Sequence, residues 1–382
     1  MLYGFLKVYV GFILKFFVKD LKISGMENIP ADRAVMDAAR KRQAELAKPP
    51  GSLGALEDMS IRLAGITGQV CPKMDSCRVA VFAADNGVVD EGVSCAPRSV
   101  TLQQAINMTR RRTGMSAMAA AFGDDVAVVD VGIAADVPGV GILDRKVRRG
   151  TGNIAVEDAM TRPEALAAMA AGMEQAARAR ADSITALGVG EMGIGNTSTS
   201  AAVLSVLTGA DIEAVTGRGG GLTDEGFARK KDVLRRALTR RAVDKDDVLD
   251  VLCAVGGLDI AAMAGAFLGC ARERIPAAVD GFISVVAALC AVTLCPEVQD
   301  YLFLSHDSYE VGYRLAADRL GLEPCLHLGM RLGEGSGCPL LFRVLEGACG
   351  VMAGMATFAQ AAIQDDYLDE IRAGDSFTVD KP

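Results

Sequence analysis

The feature that most constrains this 382-residue chain is a repeated unit. A short apolar run stops on glycine or a polar residue, and a longer stretch of helical composition follows. Arg78 to Ala84 (RVAVFAA) runs into Asp85-Asn86-Gly87, Asp125 to Val131 reads DVAVVDV, and Ser183 to Val189 reads SITALGV. Tyr301 to Leu304 and Cys325 to Leu328 look similar. Runs this short, apolar at successive positions, suit strands buried on both faces, which is the habit of a parallel sheet with helices packed on each side. The predicted class is therefore α/β, a parallel-sheet large domain with flanking helices. In such sheets ligands bind beyond the carboxyl ends of the strands, so the loops after these runs are where chemistry is to be sought.

The helical stretches carry their own punctuation. Residues 31–48 read as a helix stopped by Lys48-Pro49-Pro50-Gly51, and a second helix starts within Ser52 to Glu57. Residues 163–180 open with proline, whose missing N–H costs nothing at a helix start. Residues 224–241 begin acidic and continue basic, which suits the helix dipole. Residues 340–366 read as one long final helical segment. A prior of roughly 150 residues per domain allows two or three domains.

Composition removes several classes of function. A net charge of −8, a pI near 5.1, 5% aromatics and no tryptophan argue against a nucleic-acid partner. Ten cysteines without a CxxC pair read as reduced core thiols of a cytoplasmic protein. Two histidines, His306 and His327, exclude a His-rich metal site and leave carboxylates as the natural proton acceptors. The apolar, lysine-dotted segment 2–18 is too short and too charged for a membrane span and has no clean cleavage site. Residues 1–25 read as an extension ahead of a start at Met26, with an interfacial helix touching a membrane as the alternative.

Four loops can carry chemistry. Gly188 to Ser198 (GVGEMGIGNTS) precedes the helical run Ala201 to Leu207 and offers glycine-exposed amides to an anion. By letter it matches G-x-G-x-x-G, and Asp211 has nearly the spacing of a ribose-binding acid, but no apolar strand leads to Asp211. A packing turn is the plain alternative. Glu191 favours function, because a carboxylate there must face something other than phosphate. Thr216 to Asp224 has four glycines in the five residues 217–221 and is either an anion nest or a flexible connector capped by Thr223 or Asp224. Arg331 to Gly337 frames Glu334 with glycines, so a flat substrate can approach the carboxylate, whose pKa would rise in an apolar pocket; a solvated turn is the alternative. Ser305-His306-Asp307 has the letters of a triad, but sequence neighbours on a loop point in different directions.

Eight segments in order resemble one family: KPPGSLGALE (48–57), ADNGVVDEGVS (84–94), VTLQQ (100–104), GEMGIGNTSTSAA (190–202), TGRGGGL (216–222), VGGLDIAAMAGAFLGCA (255–271), SHDSYEVG (305–312) and RLGEGSGCPL (331–340). The family is the nicotinate-nucleotide–dimethylbenzimidazole phosphoribosyltransferases, and the resemblance spans residues 27–368. It implies a Rossmann-like large domain at 71–339, a small helical domain formed from both chain ends (26–70 and 340–372), and a homodimer. It implies transfer of ribose 5-phosphate from nicotinate mononucleotide to 5,6-dimethylbenzimidazole, giving α-ribazole 5′-phosphate and nicotinate. It implies catalytic roles for Glu334, as base, and Glu191. Substrate contacts are implied at Gly193, Gly195, Asn196, Thr197, Ser198, Lys230 and Ser308 towards the sugar phosphate, and at Ser94, Gln103 and Leu332 towards the benzimidazole. No cofactor or metal is expected, since no pyrophosphate has to be neutralised.

Overall fold

A computed structural model describes residues 29–139 and 141–368. The extension at 1–25 lies outside the described residues. The chain divides into two compact units, one containing Ser76–Leu341 and the other Pro30–Asp75 with the segment from Phe342 onward.

The larger unit is built on six parallel strands: β1 (Cys77–Ala84), β2 (Asp125–Gly132), β3 (Ile142–Asp144), β4 (Ala186–Met192), β5 (Ala277–Val279) and β6 (Leu302–Leu304). Their order is β3-β2-β1-β4-β5-β6, as the α/β expectation requires. The chain builds outward from β1 to β3, returns to the other side of β1 as β4, and builds outward again. The switch between β1 and β4 opens a crevice at the carboxyl edge, where the two halves diverge. All but one residue of β1 and of β4 is buried, so the central strands need no polar alternation.

Three expectations are corrected. The strand expected at 183–189 starts at Ala186 and runs on to Met192. Ser183 instead takes a left-handed φ of 60° to end the preceding helix, and the Ile184 amide donates back to the Ala179 carbonyl. Gly188 to Met192 is therefore strand and not loop. Residues 325–328 form no strand. They make a single bridge at Leu326 with His306, bounded by Pro324, which has no N–H, and Gly329 at φ 63°. The final helical segment is broken: a helix over Cys338–Gly354 ends, and Thr357 caps a new short one over Phe358–Ala361.

In the smaller unit, Ala39, Ala64 and Met352 form a buried cluster. The Lys48–Glu57 ion pair, 2.6 Å long and largely shielded, ties the two ends of the KPPGSLGALE segment together.

Against the central strands, the helices Arg162–Ala181 and Leu258–Glu273 pack almost backbone to backbone. A Cβ built on Gly172 would lie 1.8 Å from the Ala262 carbonyl oxygen, and one on Gly265 would lie 2.0 Å from that of Met169. We predict that Gly265→Ala lowers stability by roughly 1–3 kcal/mol through overpacking. Gly347→Ala, on an exposed helical position with open space around it, should instead raise stability by about 0.5–1 kcal/mol. Urea midpoints of the two variants check both signs.

Candidate active site

A cavity of about 260 Å³ opens at the carboxyl edge of β4 and β5. Of the residues singled out from sequence, Ser94, Glu191, Gly193, Gly195, Asn196, Thr197, Ser308, Leu332 and Glu334 line it. Lys230 stands just behind the wall, fully buried, its Nζ donating to Thr197 Oγ1 at 2.9 Å. Ser198 is buried outside the lining.

Gln103 is corrected: it is exposed and does not line the cavity, whereas Gln104 does. Both lie on the helix Val100–Thr109, whose buried Thr101, Ala105 and Met108 share a face with position 104 but not with 103. Thr101 reinforces that face by accepting the Ile194 amide at 3.2 Å.

The two glutamates meet. Glu191, next to the last residue of β4, accepts the Glu334 amide through Oε1 at 3.2 Å. Its Oε2 accepts from Asn196 Nδ2, which also donates to Asp259 Oδ2 at 3.1 Å. Burial pushes Glu191 up to about 8, reinforced by the neighbouring charges of Asp259 and Asp280 and opposed by Asn196. Burial likewise lifts Asp259 to about 6. Glu334 is also raised, first by burial and then by Asp280, against the Met115 amide, which donates to its Oε2 at 3.2 Å, and the Thr113 hydroxyl.

Glu334 occupies a left-handed backbone position, φ 65°, between Gly333 at 81° and Gly335 at 85°. Three such residues in a row bend the loop back onto β4. A Cβ on Gly190 would lie 2.6 Å from the Glu334 carbonyl oxygen, so only glycine lets the strand and loop touch there.

A further part of the cavity wall lies beside Lys230. The helix Asn196–Thr208 starts there from a left-handed Gly195, φ 94°, with the Asn196 amide donating to the Gly193 carbonyl and the Ser198 amide to that of Gly195. Arg218, Gly219 and Gly220 supply the facing wall. Burial pulls Lys230 down to about 8, partly offset by Glu310, and a Cβ on Gly219 would lie 3.7 Å from its Nζ.

Two alternative motifs are not assembled. Gly188 and Gly190 sit inside β4 instead of a turn, and Asp211 caps the short helix Ile212–Val215, so the dinucleotide fingerprint is only in the letters. Ser305 and His306 are buried and bonded to each other at 3.0 Å, whereas Asp307 lies toward His327. Among the described residues no group of His, Cys, Asp and Glu could hold a metal ion. Sequence reasoning missed Asp259 and Asp280: both are single acids inside apolar runs, with no local pattern to mark them.

A family model described as phosphoribosyltransferase matches residues 29–363. The chain belongs to that phosphoribosyltransferase family. It is 46% identical over 357 residues to the nicotinate-nucleotide–dimethylbenzimidazole phosphoribosyltransferase of Clostridium perfringens strain 13, covering 94% of this chain and 98% of the relative. A relative of the same name from Desulforudis audaxviator is 48% identical over 335 residues, covering 87% and 95%. The crystal structure of CobT from Thermus thermophilus superposes with a TM-score of 0.83 at 42% identity, covering 87% of this chain and 99% of that one.

The raised carboxyls of this family member make stability fall with pH. Glu191 binds its proton more tightly when folded than when unfolded, so its contribution is complete below the ordinary glutamate range and is lost as pH rises toward about 8. Asp259 adds a loss in the same direction ending near 6. We predict a declining denaturation midpoint between these limits and a shallower decline above 6 in Glu191→Gln, measured by urea unfolding across pH.

Proposed function

We propose that this chain transfers ribose 5-phosphate from nicotinate mononucleotide to 5,6-dimethylbenzimidazole, releasing α-ribazole 5′-phosphate and nicotinate for the nucleotide loop of cobalamin. The observation that carries the reading is one cavity with a raised, glycine-framed carboxylate on its wall and a buried ammonium beside a helix N-terminus. A phosphate suits the helix N-terminus that follows Gly195, backed by Lys230. A flat base suits the glycine-flanked approach to Glu334.

The chemistry needs little from the protein beyond placement. The pyridinium of nicotinate mononucleotide is already a good leaving group on C1′. A benzimidazole nitrogen attacks C1′ from the face opposite the departing ring, inverting β to α, while the C1′–pyridinium bond breaks and its electron pair returns to the nicotinate ring. The benzimidazole becomes cationic as the new bond forms, and Glu334 takes the proton from its other nitrogen. Holding two rings on either side of C1′ supplies most of the rate. Glu191, kept protonated near neutral pH and bonded to the Glu334 amide, adds no second negative charge to compete for that proton. Ser94, Gln104 and Leu332 are assigned to the base, and Thr197, Ser308 and Lys230 to the sugar phosphate.

The reading extends to a cytoplasmic homodimer. The ten free cysteines support a reducing compartment, and no helix among the described residues is long and apolar enough to cross a membrane. The exposed Tyr309, Val311 and Leu328 are offered to a second copy.

Glu334→Gln should cut kcat by roughly 10²–10⁴-fold while nicotinate mononucleotide still raises the melting temperature. An unchanged rate would remove Glu334 as the base. Lys230→Met should raise KM for nicotinate mononucleotide by roughly 10–100-fold, the worth of a charge-assisted bond to phosphate, with a smaller effect on kcat. Mass spectrometry of the products formed with a panel of bases identifies the acceptor, and absence of any ribosylated product would leave only a binding protein.

A further inference from the structure

We propose that Asp280 is a positioning residue for Glu334: its carboxylate clamps two backbone amides of the Gly333–Gly337 loop and so aims the base at the acceptor ring. This rests on the reading of Glu334 given above. Asp280 follows β5 and is 2% exposed. Its Oδ2 accepts the Gly335 amide at 3.0 Å and its Oδ1 accepts the Gly337 amide at 2.7 Å. These amides lie one and three residues beyond Glu334, so the clamp grips the loop immediately after the base.

A carboxylate is what this position needs. Two N–H groups point at it from one loop, and only a group with two acceptor oxygens answers both. Asn would answer one and set a donor against the other. Asp280 is held in turn: its own amide donates to Ser284 Oγ at 3.2 Å, and His306 Nδ1 lies 3.8 Å from Oδ1. The loop is therefore pinned between Asp280 on one side and the bare Gly190 of β4 on the other. Without the clamp, the three consecutive left-handed residues at 333–335 have little reason to persist.

The clamp also carries charge. The groups facing Asp280 and Glu334 are Glu191 on β4, Thr113, Tyr313, His306, and Cys338 on the following helix. Burial raises Glu334 first and the Asp280 charge adds to it; burial raises Asp280 too, opposed by His306 and the Gly337 and Gly335 amides. Asn at 280 removes that charge, so Glu334 ionises at lower pH. A residue that merely holds the fold would not move that titration.

The experiment compares Asp280→Asn with Gly190→Ala in the full chain, measuring kcat and KM for nicotinate mononucleotide from pH 5 to 9. In Asp280→Asn, kcat should fall about 10²-fold, the cost of roughly 1 Å of misplacement, and the acid limb of its pH profile should move to lower pH while KM stays within roughly threefold. Gly190→Ala pushes the same loop from the other side and leaves the charge in place; it should lose kcat without moving the limb. Should Asp280→Asn not fold, Gly190→Ala alone tests the positional half: full kcat there would overturn the proposal. Asp280→Asn with kcat and acid limb both unchanged would also overturn it. Glu334→Gln run alongside separates the two ideas. If that variant is fully active, the base assignment fails, whatever Asp280 does; if it is inactive and Asp280→Asn matches the wild type, only the clamp fails.

Discussion

Buried carboxylates that must be satisfied without buried cations set the terms for this site. Glu191, Asp259, Asp280 and Glu334 crowd the carboxyl edge of the sheet, each at most 8% exposed. The donors that meet them include Asn196 and the backbone amides of Met115, Ile260, Glu334, Gly335 and Gly337. An ammonium in this corner would lower every one of these carboxyls. Amides instead hold them in place while burial keeps them raised. Lys230 lies by the glycine wall and Thr197. The raised carboxyls and the buried ammonium therefore border one cavity without pairing with each other, each satisfied by neutral donors or acceptors.

That arrangement costs backbone strain, and the fold places the strain where it is useful. A non-glycine residue in the left-handed region costs of order 1–3 kcal/mol and persists only where its surroundings hold it. Glu334 is such a residue, and its surroundings are specific: an amide bond to Glu191, the paired amides on Asp280, and a strand with no side chain at position 190. The same loop bent the ordinary way would carry Glu334 off β4, and the carboxylate would lose both its burial and its donors.

The chain's letters reveal the strands better than they reveal the supporting residues. Runs such as Arg78–Ala84 and Asp125–Val131 announce β1 and β2, because a strand covered on both faces is apolar at nearly every position. The helices Leu258–Glu273 and Phe282–Leu294 fail to announce themselves for the same reason. They are buried almost all round and show no 3.6-residue rhythm. The glycine-framed Glu334 and Glu191, which follows Gly190 in β4, are legible because glycine beside a carboxylate is an unusual local pattern. Asp259 and Asp280 are not legible: their meaning comes from Asn196 and, for Asp280, from loop amides 55 and 57 residues away in sequence. The choice of Gln103 over Gln104 turns on the phase of one helix, which the adjacent pair of glutamines leaves open until Thr101 is seen to face inward.

The strand order is that of dinucleotide-binding sheets, yet the cavity is not where a dinucleotide would lie. In those folds the pyrophosphate sits on the turn after β1. Here that turn, Asp85-Asn86-Gly87, is filled by the chain itself. The Thr151 amide donates to the Asp85 carbonyl at 3.0 Å, Thr151 Oγ1 accepts the Gly87 amide at 2.9 Å, and a Cβ on Gly87 would lie 2.5 Å from the Thr151 carbonyl oxygen. With the first turn plugged, open space lies across the switch point at the ends of β4 and β5, where the helices Asn196–Thr208 and Phe282–Leu294 begin. The space of about 260 Å³ there is lined by residues from both halves of the sheet's carboxyl edge. One threonine-bearing loop thus closes the turn after β1, and the buried carboxyls Glu191 and Glu334 meet at the strand ends that the plug leaves open.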